Sequence, residues 1–180
     1  MVEQRIALPA ALSARVEIFA SQHPSVVWEK RDLDGGRGEY ELQVPASDSA
    51  GFVVGAEVRT YGIYPLVDER WLGWSWDIAS PFSIGQICDQ FLSLIRAALS
   101  ADCRLRRTLR AGKVLDSAIE AASPQGWQVA EQLPRGFLDP WRLRKRQELS
   151  EEIRQNRLLP PVGFADGRDT WNNFVFRRHE

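Results

Sequence analysis

Trp71-Leu72-Gly73-Trp74-Ser75-Trp76-Asp77-Ile78 alternates large apolar side chains with small or polar ones, and Ser83-Ile84-Gly85-Gln86 follows almost at once. Alternation with period two predicts a half-buried strand carrying Leu72, Trp74, Trp76 and Ile78 on one face, opposite Trp71, Gly73, Ser75 and Asp77. The Ser-x-x-Gln spacing predicts a capped helix start, because the hydroxyl accepts from the third backbone N–H while the amide reaches back. From there Ile84, Ile87, Phe91, Leu94, Ile95, Ala98 and Leu99 recur at three- and four-residue steps. Such a stripe buries against a sheet face, so the two stretches together predict a helix lying on Trp74 and Trp76.

Upstream, Leu8, Leu12, Val16, Phe19 and Ala20 keep helical spacing from Pro9 to the His23-Pro24 stop, which predicts a first helix over 9–21. Ser25–Arg31 and Glu39–Val44 flank a glycine-rich turn and read as a hairpin, with Tyr40, Leu42 and Val44 on its inner face. Phe52–Tyr61 alternates again, Glu57, Arg59 and Tyr61 facing outward. Downstream, Cys103–Arg110 is expected to be a fifth strand, although a continued helix would also place Leu105 and Leu109 together, with Val114–Ala122 a short helix and Gly126–Val129 another short strand. Asp139-Pro140 has the form of a helix start, predicting a charged helix to about Leu158 and then an extended arm after Pro160-Pro161.

The expected fold is therefore α+β: an antiparallel β-meander of four to five strands with helices packed on one face, plus a C-terminal helix and extended arm. Residues 1–138 form its compact body and 139–180 the helix and aromatic arm of the same domain. A chain of 180 residues has room for one sizeable core. With 23 basic and 24 acidic residues the net charge is -1, which excludes a strongly polyanion-seeking or acidic-tail class. The opening Met1-Val2-Glu3-Gln4-Arg5 does not read as a secretory signal, and charges break every long apolar run, so a soluble cytoplasmic protein is expected. Two cysteines, Cys88 and Cys103, are too few for a disulfide scaffold and are expected as reduced thiols.

Chemistry is harder to find. His23 and His179 are the only histidines; one ends a helix and the other is penultimate, so neither a catalytic triad nor a histidine metal centre is expected. No cofactor motif is present: Gly35-Gly36-Arg37-Gly38 lacks the lysine and hydroxyl ending of a phosphate loop and precedes a strand. Arg104, Arg106, Arg107, Arg110 and Lys113 form one basic group and Arg142, Arg144, Lys145 and Arg146 another. All but three of the basic residues are arginine, and neither group is interleaved with stacking aromatics, so nucleic acid is not the expected partner.

Two surfaces remain. Glu57, Arg59, Tyr61, Trp71 and Asp77 share the polar face of the sheet and are the candidate ligand-binding set; cross-strand ion pairing is the competing explanation for them. Trp141, Leu149, Ile153, Trp171, Phe174 and Phe176 are the candidate interface, since a charged helix with few apolar anchors and an aromatic arm invite completion by another chain. The expected function is a non-catalytic protein-interaction module of bacterial type, such as a chaperone, adaptor or toxin-neutralising protein. Its partner is another protein or itself, as a homodimer through the C-terminal arm. The alternative is a small-molecule-binding protein or enzyme using the polar face.

Overall fold

The computed structural model describes residues 2–33, 38–68, 70–133 and 149–163. The order of elements is α1 (Val2–Gln22), β1 (Glu29–Asp32), β2 (Tyr40–Val44), β3 (Val54–Arg59), β4 (Gly62–Val67), β5 (Arg70–Trp71), β6 (Trp76–Asp77), α2 (Ile84–Ala98), β7 (Cys103–Arg110), β8 (Lys113–Ser123), β9 (Gly126–Gln132) and β10 (Leu149–Arg154). The α+β class holds, but the strands divide into two antiparallel sheets. The first runs β1-β2-β3-β4-β5, with β6 also paired to β4, and the second runs β10-β7-β8-β9.

The Ser83 cap forms as its spacing predicts, the side chain accepting from the Gln86 N–H while the Gln86 side chain accepts from the Ser83 N–H. Ile87, Phe91, Leu94 and Ile95 on α2 are fully buried. Phe91 meets the Trp76 ring edge-on at 6.2 Å, and Trp74 stands edge-on to Trp76 at 4.8 Å, so the helix does roof the tryptophan face. At about 1.5–3 kcal/mol for each large side chain buried, this contact is a main source of stability. Leu8, Leu12, Val16 and Phe19 of α1 and Leu105, Ile119 and Ala130 of the second sheet join the same core.

Several boundaries differ from expectation. Helix α1 starts at Val2, with Pro9 in its interior, where the ring costs one backbone bond without ending the helix. The expected single strand 71–78 is two short strands, because Gly73 takes φ +90° and turns the chain away between them. Both still pair with β4, and the Trp76 carbonyl approaches so closely that a Cβ at Gly62 would lie 2.7 Å from it.

Strand β8 occupies the stretch expected to be a helix at 114–122. As an interior strand, buried from Ser117 to Ala121 on both faces, it shows no alternation to read. The expected C-terminal helix is also corrected where the chain is described: 149–154 is strand β10, antiparallel to β7 with Leu149 opposite Arg110 and Arg154 opposite Leu105. Asp139-Pro140 and the rest of that expected helix start lie outside the described residues.

The chain then returns as a strap. Gln155 donates its N–H to Ala50 O at 2.7 Å, and the Leu158 and Leu159 N–H groups both donate to Leu99 O at 3.0 Å. Both cysteines are buried free thiols. Burial pushes Cys88 up to about 11 and Cys103 higher still, so both stay protonated at mildly alkaline pH. Neither is expected to react with Ellman's reagent in the folded protein, and both should titrate once guanidinium unfolds it. Rapid modification of either under native conditions would contradict this burial.

Among the described residues no helix is long and apolar enough to cross a membrane.

Candidate functional site

The outer face of the first sheet brings together the five residues nominated from sequence. Pairing puts Glu57 opposite Tyr64, Arg59 and Asp77 opposite Gly62, and Trp71 opposite Leu66, with Tyr61 in the β3–β4 turn beside them. Arg59 sits between two carboxylates. Its Nη2 donates to Glu57 at 2.7 Å and its Nη1 to Glu39 at 3.3 Å. Thr60 donates both its N–H and its hydroxyl to Glu39 at 3.1 Å. That backbone donor chiefly holds the Glu39 carboxyl below the usual range, and the hydrogen bond to Glu57 raises the Arg59 guanidinium. Asp77 closes a local turn by accepting from the Ala79 N–H at 2.7 Å. These charges are satisfied by one another, as expected of cross-strand pairing on a wet sheet face.

The aromatic residues form the other half of this face. Tyr61 meets Tyr64 edge-on at 5.9 Å, and Tyr64 lies 6.5 Å from Trp71. Tyr61 and Trp71 remain 44% and 47% exposed. The Trp71 indole donates to Trp74 O at 2.8 Å, which fixes the ring. Tyr64 was not found from sequence because β4 reads Ile63-Tyr64-Pro65-Leu66-Val67, apolar or aromatic at each position, with a proline that argues against a strand. Next to this ridge, across β1 and β2, a depression of about 450 Å³ is lined by Glu29, Lys30, Arg31, Glu41 and Gln43. Within it Glu41 accepts from both Arg31 and Gln43, and the Lys30 ammonium lies over the Tyr40 ring at 4.1 Å.

The second sheet has a different outer face. Glu120, only 5% exposed, accepts from Arg104 Nε at 2.8 Å and from Arg106 Nε at 2.6 Å. Arg104 also lies over the Trp127 ring, 4.3 Å from its centroid. Arg104, Arg106 and Arg107 of the first basic group are thereby drawn into ion pairs, since Arg107 on the other face meets Asp68 and Glu152. The second group lies outside the described residues.

Flanking the arginines are exposed apolar side chains: Trp127 and Val129 on β9, Leu149 and Ile153 on β10. The two pairs share the outer face but lie on its opposite edge strands, about 14 Å apart laterally at three strand spacings; Val129 is level with Arg104 and Ile153 with Arg106, while Trp127 and Leu149 lie at opposite ends of the sheet. Of the interface residues nominated from sequence, Leu149 and Ile153 are therefore brought together on one strand. Trp141, Trp171, Phe174 and Phe176 lie outside the described residues. Trp127 and Val129 were not nominated, although the alternation in 126–132 could have indicated them.

Among the described residues no group of three or more His, Cys, Asp or Glu side chains is placed to hold a metal ion. His23 stacks 4.5 Å from Phe19 at the end of α1, in a packing role, and His179 lies outside the described residues. Comparison with protein-family models, with curated proteins and with solved structures finds no match.

Proposed function

We propose that this chain is a non-catalytic protein-interaction module, of the broad kind that includes chaperones, adaptors and toxin-neutralising proteins. The observation that carries the proposal is the outer face of the second sheet. Trp127, Val129, Leu149 and Ile153 are each at least 36% exposed there. Exposed large apolar side chains on the two edge strands of one face, with arginine between them, have the composition of interface anchors. The small-molecule alternative on the first sheet has less support, because Arg59 is held by both Glu57 and Glu39, and Glu39 also accepts from Thr60, so the groups a polar ligand would use already have partners.

Photo-crosslinking in the native cell tests this. Benzoylphenylalanine placed singly at Val129 or at Ile153 is expected to capture the same protein, foreign or a second copy, while the same probe at Tyr61 or Trp71 captures none. Adducts confined to Tyr61 and Trp71 would move the interface to the first sheet, and none at any position would overturn the proposal.

A further inference from the structure

Resting on that reading of the second sheet, we infer that the outer edge of β10, which no described strand covers, binds an extended segment of a partner protein as an added antiparallel strand, with a basic residue opposite Glu151 and apolar residues opposite Leu149 and Ile153.

In an antiparallel strand the N–H and C=O of one residue point to the same side, and successive residues alternate. The Ala122 N–H donates to Asp102 O, so even-numbered residues at the start of β7 bond towards β8 and odd-numbered ones towards β10. Leu105 and Arg107 are opposite Arg154 and Glu152, so the even-numbered residues of β10 are the ones bonded to β7. Leu149, Glu151 and Ile153 then direct their N–H and C=O groups away from the sheet. Gln155, next in the same series, does give its N–H outward, to Ala50 O.

No strand among the described residues pairs with that edge. An exposed row of backbone donors and acceptors is a template for another strand. At its far end lies a groove of about 490 Å³ between Asp48 and Ala50 of the β2–β3 loop and Ile153, Gln155 and Arg157.

The contrast with β1 is informative. That edge strand, Glu29-Lys30-Arg31-Asp32, is exposed and charged at every position, a common defence against strand addition. On β10 the outward face reads Leu149, Glu151, Ile153 instead, with both apolar residues exposed.

Charge selects the occupant. The Glu151 side chain is 63% exposed and has one long ion pair, 3.7 Å to Arg106. Asp48, in the groove, adds a second carboxylate, while Arg157 is held by two hydrogen bonds to Gln155. A second copy fits poorly. The two-fold registers centred on 151 or 152 put Glu151 against Glu151, or Glu152 against Glu152, and like charges directly opposite are destabilising, while one centred on 150 sets each Glu151 against Leu149 and gives the carboxylate no cation across the seam. A register centred on 153 would need the Gln155 edge, which Ala50 already occupies.

The test is fluorescence anisotropy on the full chain with three labelled peptides: Thr-Ile-Thr-Lys-Thr-Ile-Thr, the same peptide with glutamate at its centre, and the lysine peptide N-methylated at that lysine. The lysine peptide is expected to bind about fivefold more tightly than the glutamate peptide, an order set by cross-strand charge pairs. Glu151→Lys should reverse the preference, and N-methylation should abolish binding because it removes the central ladder hydrogen bond. Ile153→Pro, which removes an outward N–H on an edge strand, should also lose binding with its circular dichroism retained.

Equal binding of the N-methylated peptide would overturn strand addition, and an unreversed preference in Glu151→Lys would overturn the basic partner. Affinity that rises when 164–180 are deleted makes the chain's own C-terminal segment the occupant; affinity that falls with protein concentration as the chain dimerises makes it a second copy. Either result overturns the foreign strand. Failure of every peptide while the crosslinks at 129 and 153 persist sinks this inference alone, whereas loss of the crosslinks removes the interaction reading beneath it.

Discussion

Replacing Asn156 by alanine is expected to destabilise the protein by about 3 kcal/mol and to lower its melting temperature by roughly 6–12 °C. Asn156 has no exposed surface. Its Oδ1 accepts from the Phe52 N–H at 3.2 Å, and its Nδ2 donates to Phe52 O at 3.0 Å and to Ala98 O at 3.4 Å. One side chain therefore ties the strap to the entry of β3 and to the end of α2. Alanine leaves a buried donor and two buried acceptors without partners, and each such loss costs the desolvation of the group rather than the modest net value of a hydrogen bond.

Asn156→Asp is the sharper control. It keeps the acceptor for the Phe52 N–H but places carboxylate oxygen against two carbonyl oxygens, so it should be at least as damaging at neutral pH. A Cβ at Gly51 would lie 2.7 Å from Asn156 Oδ1, which makes Gly51→Ala a second route to the same loss. The double variant Gly51→Ala with Asn156→Ala should lose less than the sum of the two. Urea denaturation followed by tryptophan fluorescence measures all of these; a loss below about 1 kcal/mol for Asn156→Ala would mean that the strap is held mainly by its backbone bonds.

The strap and β10 also mark the limit of what the sequence makes legible. Helix α2 can be read because its cap is local, Ser83 with Gln86, and its stripe repeats over four turns. The outward position of Glu57 and Arg59 follows from simple alternation in β3. Leu149 and Ile153, by contrast, are four residues apart, a spacing that puts them on one face of a helix and equally on one face of a strand. Leu-Ser-Glu-Glu-Ile-Arg has good helix formers, so local preference chooses helix and only pairing with β7 overrides it.

Ion-pair partners are equally hidden. That Glu120 would be shared by Arg104 and Arg106 depends on the β7–β8 register, which no short stretch encodes. Without that register the arginine run reads as a solvated face, whereas in the fold it is a partnered network carrying an aromatic cover.

Asp68→Ala is expected to cost about 3–5 kcal/mol, the range for removing one member of a buried charge cluster. Asp68 turns the chain between β4 and β5 with φ +47°, a conformation that Asp and Asn tolerate better than Ala. Its Oδ1 accepts from the Val53 N–H at 2.8 Å, while Oδ2 meets Arg107 and lies 3.7 Å from Arg154. Arg107 belongs to β7 and Arg154 to β10, so this carboxylate of the first sheet clips both strands of the second. Burial, aided by the neighbouring Arg154 charge, pushes the Arg107 guanidinium down, which is why it needs anionic partners. In the alanine variant Arg107 keeps Glu152 at 3.4 Å, but Val53 loses its acceptor and two arginines lose the carboxylate they share.

Asp68→Asn separates the contributions: it retains the turn and the acceptor and removes only the charge, so about half the loss is expected. A surface pair such as Arg15–Asp89 should contribute at most about 1 kcal/mol and fade in high salt. The Asp68 effect should persist there, because its side chain and that of Arg107 are 7% and 14% exposed. Urea denaturation at low and high ionic strength distinguishes the two. If Asp68→Ala lost no more than Arg15→Ala, or if salt erased its effect, the two sheets would be held by the shared apolar core alone and the clip would have no energetic role.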